Sequence, residues 1–260
     1  MYTYTVGYDD EEVSWPEGRM IGGATIGVIQ IGPIRVPMVP GNVGNATTFS
    51  FPVLYQRMEG AEGNAIVEMV VSTKPHPQVV EWAIKAGKKL EEQGCRAVVG
   101  NCGYFANYLP EVAAALDVPC FLSSLMQVPI ILRALKSSQK IGIICASGQA
   151  LSSAPALKNC GVDDPSRVVV AGAEHTSQMQ NVLQNKGHIN NVKFEQELVG
   201  IAKEVVSKNP DVGAFLLECT ELPPYAWAIQ KAVRLPVFDF TTLINWVHSA
   251  VVRHPFAGYI

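Results

Sequence analysis

Short runs of consecutive apolar residues alternate with longer amphipathic segments along almost the whole chain. That alternation limits the possible folds more than any other feature. Residues 24–32 (ATIGVIQIG), 64–72 (NAIVEMVVS), 95–102 (CRAVVGNC), 118–124 (VPCFLSS), 140–147 (KIGIICAS), 167–173 (RVVVAGA), 213–219 (GAFLLEC) and 235–240 (LPVFDF) read as strands. Most are continuously apolar, as expected of parallel strands covered on both faces. Residues 77–94, 108–117, 125–138, 190–209, 223–234 and 241–253 carry helical patterns between them. The order predicts a doubly wound α/β architecture with right-handed crossovers.

A repeat lies inside that order. Ile26-Gly27-Val28-Ile29 recurs as Ile141-Gly142-Ile143-Ile144, an offset of 141 − 26 = 115. Cys102 and Cys219 are 219 − 102 = 117 apart, and a proline follows each at 119 − 102 = 236 − 219 = 17. Three matches in one order predict two similar lobes related by a pseudo-twofold axis. The expected division is an N-terminal arm 1–23, lobe 1 from 24–136 plus 236–260, and lobe 2 from 137–235. In open α/β sheets the ligand crevice lies beyond the carboxyl ends of the strands. Two facing lobes therefore bring both cysteines to one interlobe cleft.

Facing thiols have a definite chemistry. A thiolate on one side of a carbon and a thiol on the other make a matched base and acid, able to invert a stereocentre without metal or organic cofactor. Cys219 precedes a helix opened by Pro223 and Pro224, and a helix N-terminus favours the thiolate, so a lowered Cys219 pKa is expected. Cys95, Cys120, Cys145 and Cys160 read as small buried residues. With no CxxC pair, the six cysteines suit a reducing compartment, hence a cytoplasmic protein without disulfides or a metal site.

The segment ECTELPPYA (218–226) resembles the second-cysteine motif of the aspartate/glutamate racemase superfamily, and VVGNCGYFANYLPEVAAAL (98–116) is similar to its first-cysteine segment. That superfamily includes amino-acid and hydantoin racemases, maleate isomerases, arylmalonate decarboxylases and algal dimethylsulfoniopropionate lyases. The resemblance implies Cys102 and Cys219 as the catalytic pair, Thr220 as a grip on a substrate carboxylate, and no cofactor. It also suggests a homodimer. One departure stands out: amino-acid racemases of the family usually follow the first cysteine with Asn-Thr, whereas this chain has Gly103-Tyr104. That removes a hydroxyl expected to hold a dicarboxylic amino acid.

The turn-rich segment 40–49 (PGNVGNATTF) suits a substrate-binding lip, which nominates Asn42, Asn45 and Thr47. Gly103 and Tyr104 are expected at the pocket, and Ser147 is expected to bind substrate or cap a helix. His175, beside Glu174, reads as structural rather than catalytic, and Glu221 reads as a helix-end charge. A formal net charge of −3 and no basic cluster argue against nucleic acid or an anionic membrane as partner. No apolar run approaches the roughly 18 residues of a membrane span.

The expected activity is a cofactor-independent racemase or epimerase acting at a carbon next to a carboxylate of a small substrate. The alternative is a lyase that uses the same thiols for β-elimination or decarboxylation, since each route passes through a carbanion or enolate.

Overall fold

Two four-stranded parallel sheets carry the fold, and they share one strand order. The structure, a computed structural model, describes residues 15–32, 34–60, 69–70, 72, 75–256 and 258–260. The first sheet runs β2-β1-β3-β4, built from β1 (Ile26–Gln30), β2 (Val53–Arg57), β3 (Ala97–Gly100) and β4 (Cys120–Phe121). The second runs β6-β5-β7-β8, built from β5 (Lys140–Cys145), β6 (Val168–Gly172), β7 (Val212–Leu217) and β8 (Val237–Phe238).

The register repeats along with the order. Ile26 pairs with Val53 and Ile141 with Val168, so 53 − 26 = 168 − 141 = 27. Val98 pairs with Cys120 and Phe215 with Val237, so 120 − 98 = 237 − 215 = 22. The central strands β3 and β7 are buried at every residue, which explains their continuous apolar sequences. Gly27 and Gly142 hold the same place in the two sheets. A Cβ on Gly27 would stand 2.9 Å from Leu90, and one on Gly142 2.8 Å from Phe215, so both positions admit close packing over the sheet.

The helices are α1 (Pro77–Glu92), α2 (Leu109–Ala115), α3 (Val128–Ala134), α4 (Gly148–Ser153), α5 (Ala156–Asn159), α6 (Ser177–Leu183), α7 (Asn191–Lys208), α8 (Ala226–Val233) and α9 (Phe240–Val251). The last helix of each half crosses over. Helix α3, which follows the first sheet, packs against β5 of the second, while α9 returns to pack on β3 of the first. Phe240, Leu243, Ile244, Val247 and Val251 of α9 bury Ile26, Val28, Ala97 and Val99. This exchange ties the lobes together through apolar contact rather than through a linker alone.

One expectation changes, and two kinds of element were not anticipated. Residues 64–72 were expected to form a strand, yet Met69 and Val70 are helical; residues 64–68 and 71 lie outside the described residues. The partner of β1 is instead β2, a half-exposed edge strand whose sequence, VLYQR, lacks a continuous apolar run. Helices α4, α5 and α6 are short, four to seven residues, and too brief to show a helical period. Of the expected N-terminal arm, residues 1–14 lie outside the described residues. Among the described residues no helix is long and apolar enough to cross a membrane.

Helix α9 depends on its start. Asp239, 3% exposed, accepts a hydrogen bond from the Thr242 N–H at 3.0 Å, and Thr242 Oγ1 accepts one from the Asp239 N–H at 3.0 Å. This reciprocal pair satisfies two orphan donors of the first turn. Asp239→Ala should lower the urea-unfolding free energy by about 1–2 kcal/mol, and Asp239→Asn by less than half as much, because Asn retains the acceptor.

Candidate active site

Strand β3 ends at Gly100 and β7 at Leu217, and in each sheet the second residue beyond the strand is a cysteine. Equivalent strand ends thus deliver Cys102 and Cys219 to the carboxyl side of their sheets. Both line a single cavity of about 60 Å³, together with Asn101, Gly103, Tyr104, Ala146, Glu218, Thr220 and Glu221. Ile31, Ile34, Val36, Val182 and Leu183 give it an apolar wall, and Asn185 completes the lining.

Hydrogen bonds stitch the seam around this cavity. The Tyr104 hydroxyl, from the first half, donates to the Ser147 carbonyl at 2.8 Å and accepts from the Ser147 N–H at 2.8 Å. Conversely, the Thr220 hydroxyl, from the second half, donates to the Asn101 carbonyl at 2.9 Å. Ser124 Oγ donates to the Leu217 carbonyl at 3.0 Å. Asn101 also braces the wall, because its Oδ1 accepts from the Ile31 N–H at 2.9 Å. The site is therefore a junction in which Tyr104, Thr220 and Ser124 find hydrogen-bond partners across the seam.

Electrostatics reverse one expectation. Burial pushes both thiols well above the ordinary range, and the negative charges of Glu218 and Glu221 push the same way. For Cys102 the backbone N–H groups of Tyr104 and Phe105 pull against that rise, and for Cys219 the N–H of Glu221 does. The lowered Cys219 pKa expected from a helix N-terminus is thus corrected. Only a 3-10 turn, Pro223–Tyr225, follows the cysteine before α8, and desolvation outweighs its partial charge. In place of a helix end, Cys219 has a side-chain partner: its Sγ lies 2.9 Å from Glu221 Oε2. Glu221 also accepts from the Asn42 Nδ2 at 3.4 Å. It is a thiol partner rather than the helix-end charge its position suggests.

The other nominated residues divide. Cys102, Gly103, Tyr104, Cys219 and Thr220 line the cavity, and Asn42 reaches it through Glu221. Asn45 does not: its Nδ2 donates to the Met38 carbonyl, and its Oδ1 accepts from Thr47 N–H and Oγ1. Asn45 and Thr47 thus shape their own loop, and Thr47 is exposed. The Ser147 hydroxyl caps α4 by accepting from the Ala150 N–H at 3.3 Å, leaving only its backbone at the seam. Glu174 accepts from the Gly148 N–H, and His175 is exposed. Cys95, Cys120, Cys145 and Cys160 are buried and do not line the cavity, and all six cysteines are free thiols. Among the described residues no group of three or more His, Cys, Asp or Glu could hold a metal ion.

Glu218 is a site residue that the sequence reading did not nominate. It is fully buried, and burial raises its carboxyl to about 8. Its signal was position: a glutamate placed directly between six buried strand residues and a site cysteine continues the strand inward. An acid whose folded pKa is raised contributes most stability below its unfolded value. That contribution declines as pH rises from about 4.5, the ordinary value, and is fully lost above about 8. Glu218→Gln has no proton to lose. In thermal unfolding scans its Tm advantage over wild type should therefore grow between pH 5 and pH 8 and stay level above that.

Comparison with known proteins agrees with this geometry. Residues 54–246 match the Asp/Glu/Hydantoin racemase family. The chain is 31% identical over 241 residues to dimethylsulfoniopropionate lyase 7 of Emiliania huxleyi (strain CCMP1516), covering 90% of this chain and 69% of that lyase. It is also 31% identical to lyase 3 of the same alga, of which it spans 61%. Among solved structures, the Gly74Cys mutant of arylmalonate decarboxylase aligns with a TM-score of 0.57 at 14% identity, covering 87% of this chain and 92% of that one. Picrophilus torridus aspartate racemase aligns at 0.55 and 16%, covering 88% and 94%. The paired sheets, the two strand-end cysteines and the match across most of its length lead to one conclusion: this chain belongs to the Asp/Glu/hydantoin racemase family of enzymes.

Proposed function

We propose that the chain is a lyase that cleaves a β-sulfonium carboxylate by elimination, releasing a dialkyl sulfide and an α,β-unsaturated acid, with dimethylsulfoniopropionate as the substrate to test first. The charge of the cavity is the observation that carries this reading. Its described lining holds two carboxyl groups, Glu218 and Glu221, six aliphatic side chains and no Lys, Arg or His. A sulfonium bears its positive charge on a centre clothed in methyl groups, so an apolar, acidic cavity suits it. The second carboxylate of aspartate or glutamate would meet Glu221 with no cation among the described lining residues to offset the repulsion. The likeness to the algal lyases supports the same choice.

The chemistry follows from the thiols. A thiolate removes the proton from the carbon next to the carboxylate, the freed electron pair forms the Cα=Cβ bond, and the Cβ–S pair departs with sulfur. The sulfide leaves neutral and requires no acid. Cys219 is the better placed base, because Glu221 at 2.9 Å can receive its proton. A cationic substrate stabilises the thiolate that burial opposes, so the base is generated when the substrate arrives. Cys102 then supports the site from the other half, and Thr220 is proposed as a further contact with substrate. Racemisation, the first expectation, would use both thiols of the same cavity; its support is the shared cavity and the family itself.

Incubation with dimethylsulfoniopropionate should release dimethyl sulfide into the headspace with one acrylate formed per sulfide. Failure to release sulfide, together with solvent deuterium entering aspartate, glutamate or a hydantoin at the α-carbon, would move the assignment to racemase. Replacing the base should be severe: Cys219→Ser is expected to lower kcat by roughly 10³-fold or more, and Glu221→Gln by roughly 10²-fold, in steady-state sulfide release. Loss confined to Cys102→Ser would exchange the roles of the two thiols.

A further inference from the structure

Three hydroxyl and thiol hydrogens of the cavity already have acceptors within the protein. Tyr104 donates to Ser147, Thr220 to Asn101 and Cys219 to Glu221. Glu218 differs. Its Oε2 has the Ala146 N–H at 3.5 Å, while its Oε1 is buried with no hydrogen-bond partner. A polar atom withheld from water in this way is costly to leave unpaired. The backbone has also been cleared for it, since a Cβ on residue 103 would stand 2.0 Å from Glu218 Oε1. Gly103 thus admits the carboxyl to the space beside both thiols.

We propose that Glu218 is the anchor for the substrate carboxylate, a neutral carboxylic acid that donates one hydrogen bond from Oε1 to it. This rests on the reading that the substrate is a carboxylate. With no basic side chain among the described lining residues, neutral donors are what that lining offers a carboxylate. Burial keeps the Glu218 proton in place up to about pH 8. The thiols of Cys102, Cys145, Cys160 and Cys219 and the Tyr104 hydroxyl around it are pushed well above their ordinary values, and Glu221 adds a negative charge. The anchor also serves the reaction. When the α-proton leaves, negative charge moves onto the carboxylate oxygens, and a hydrogen bond already aimed there strengthens. The proton stays on Glu218 throughout, so no further reactant is needed.

Propionate, which has the carboxylate and no leaving group, isolates the anchor from turnover. Its Kd is measured by titration calorimetry against wild type, Glu218→Gln and Glu218→Leu from pH 6.5 to 9. Gln keeps shape, neutrality and a donor, so binding at pH 7 should stay within roughly fivefold of wild type. Leu removes the donor and should weaken binding roughly ten- to a hundredfold. Wild-type affinity should fall above pH 8, and that fall should vanish in Gln. If Leu does not fold, the contrast between wild type and Gln in pH dependence decides alone. Equal loss in Gln and Leu, undiminished binding in Leu, or the same alkaline fall in Gln as in wild type would overturn the anchor. Sulfide release is read in parallel. Its absence alongside the expected propionate pattern would reject the lyase reading and leave the anchor standing; its presence with propionate indifferent to residue 218 would do the reverse.

Discussion

The closeness of two backbones at the seam governs this molecule. Gly103 of the first half lies against Glu218 of the second so tightly that a Cβ would stand 2.4 Å from the Glu218 carbonyl oxygen. Contact at that range fixes where β3 and β7 end relative to each other. It places one cysteine from each half on one cavity and sets the reach of the cross-seam bonds from Tyr104 and Thr220. The exchanged helices α3 and α9 act at longer range, burying apolar surface on the opposite sheet so that the halves are held as one body. Chemistry then depends on a junction that packing, rather than a flexible linker, defines.

At rest the cavity is a reservoir of protons. Burial holds the thiols, the Tyr104 hydroxyl and the Glu218 carboxyl in their neutral forms, because each would have to bear a charge in a poorly solvated space. In such a site a thiolate is costly to form without a compensating positive charge. Under the lyase proposal a cationic substrate supplies what the described lining lacks, and Glu221, at hydrogen-bond distance from Cys219, receives the displaced proton. Reactivity is thereby tied to occupancy.

Much of this could be read from residues alone, for physical reasons that also mark the limit. The central strands were legible because they are buried on both faces, which forces continuous apolar runs, and the repeat was legible because two equivalent strand ends need equivalent residues. Edge strand β2 was not, since a half-exposed VLYQR carries no such pressure. Cys102 and Cys219 stood out by spacing, but the direction of their pKa did not, because desolvation depends on what covers a residue in three dimensions. Asn45 and Thr47 were drawn in by composition, and their hydrogen bonds turn out to be local to the loop. Glu218 was not nominated for a different reason: its position beside a helix start also fits a helix-end charge, and only packing shows its carboxyl buried at the centre.

The Gly103–Glu218 contact also orders the routes by which this sequence could change. Restoring the Asn that family racemases usually carry after the first cysteine would require a side chain at 103, where Glu218 Oε1 already lies 2.0 Å from the Cβ position. That single step clashes. Shortening residue 218 would remove the side-chain part of that clash, at the loss of whatever the carboxyl contributes, but the Glu218 carbonyl oxygen still lies 2.4 Å from the Cβ position, so a larger residue at 103 also requires the two backbones to move apart. The two positions are separated by more than a hundred residues and sit on different halves, yet they form one unit of inheritance. A mutational walk between this cavity and a racemase-like one must change both the side chain at 218 and the spacing of the seam before residue 103 can grow.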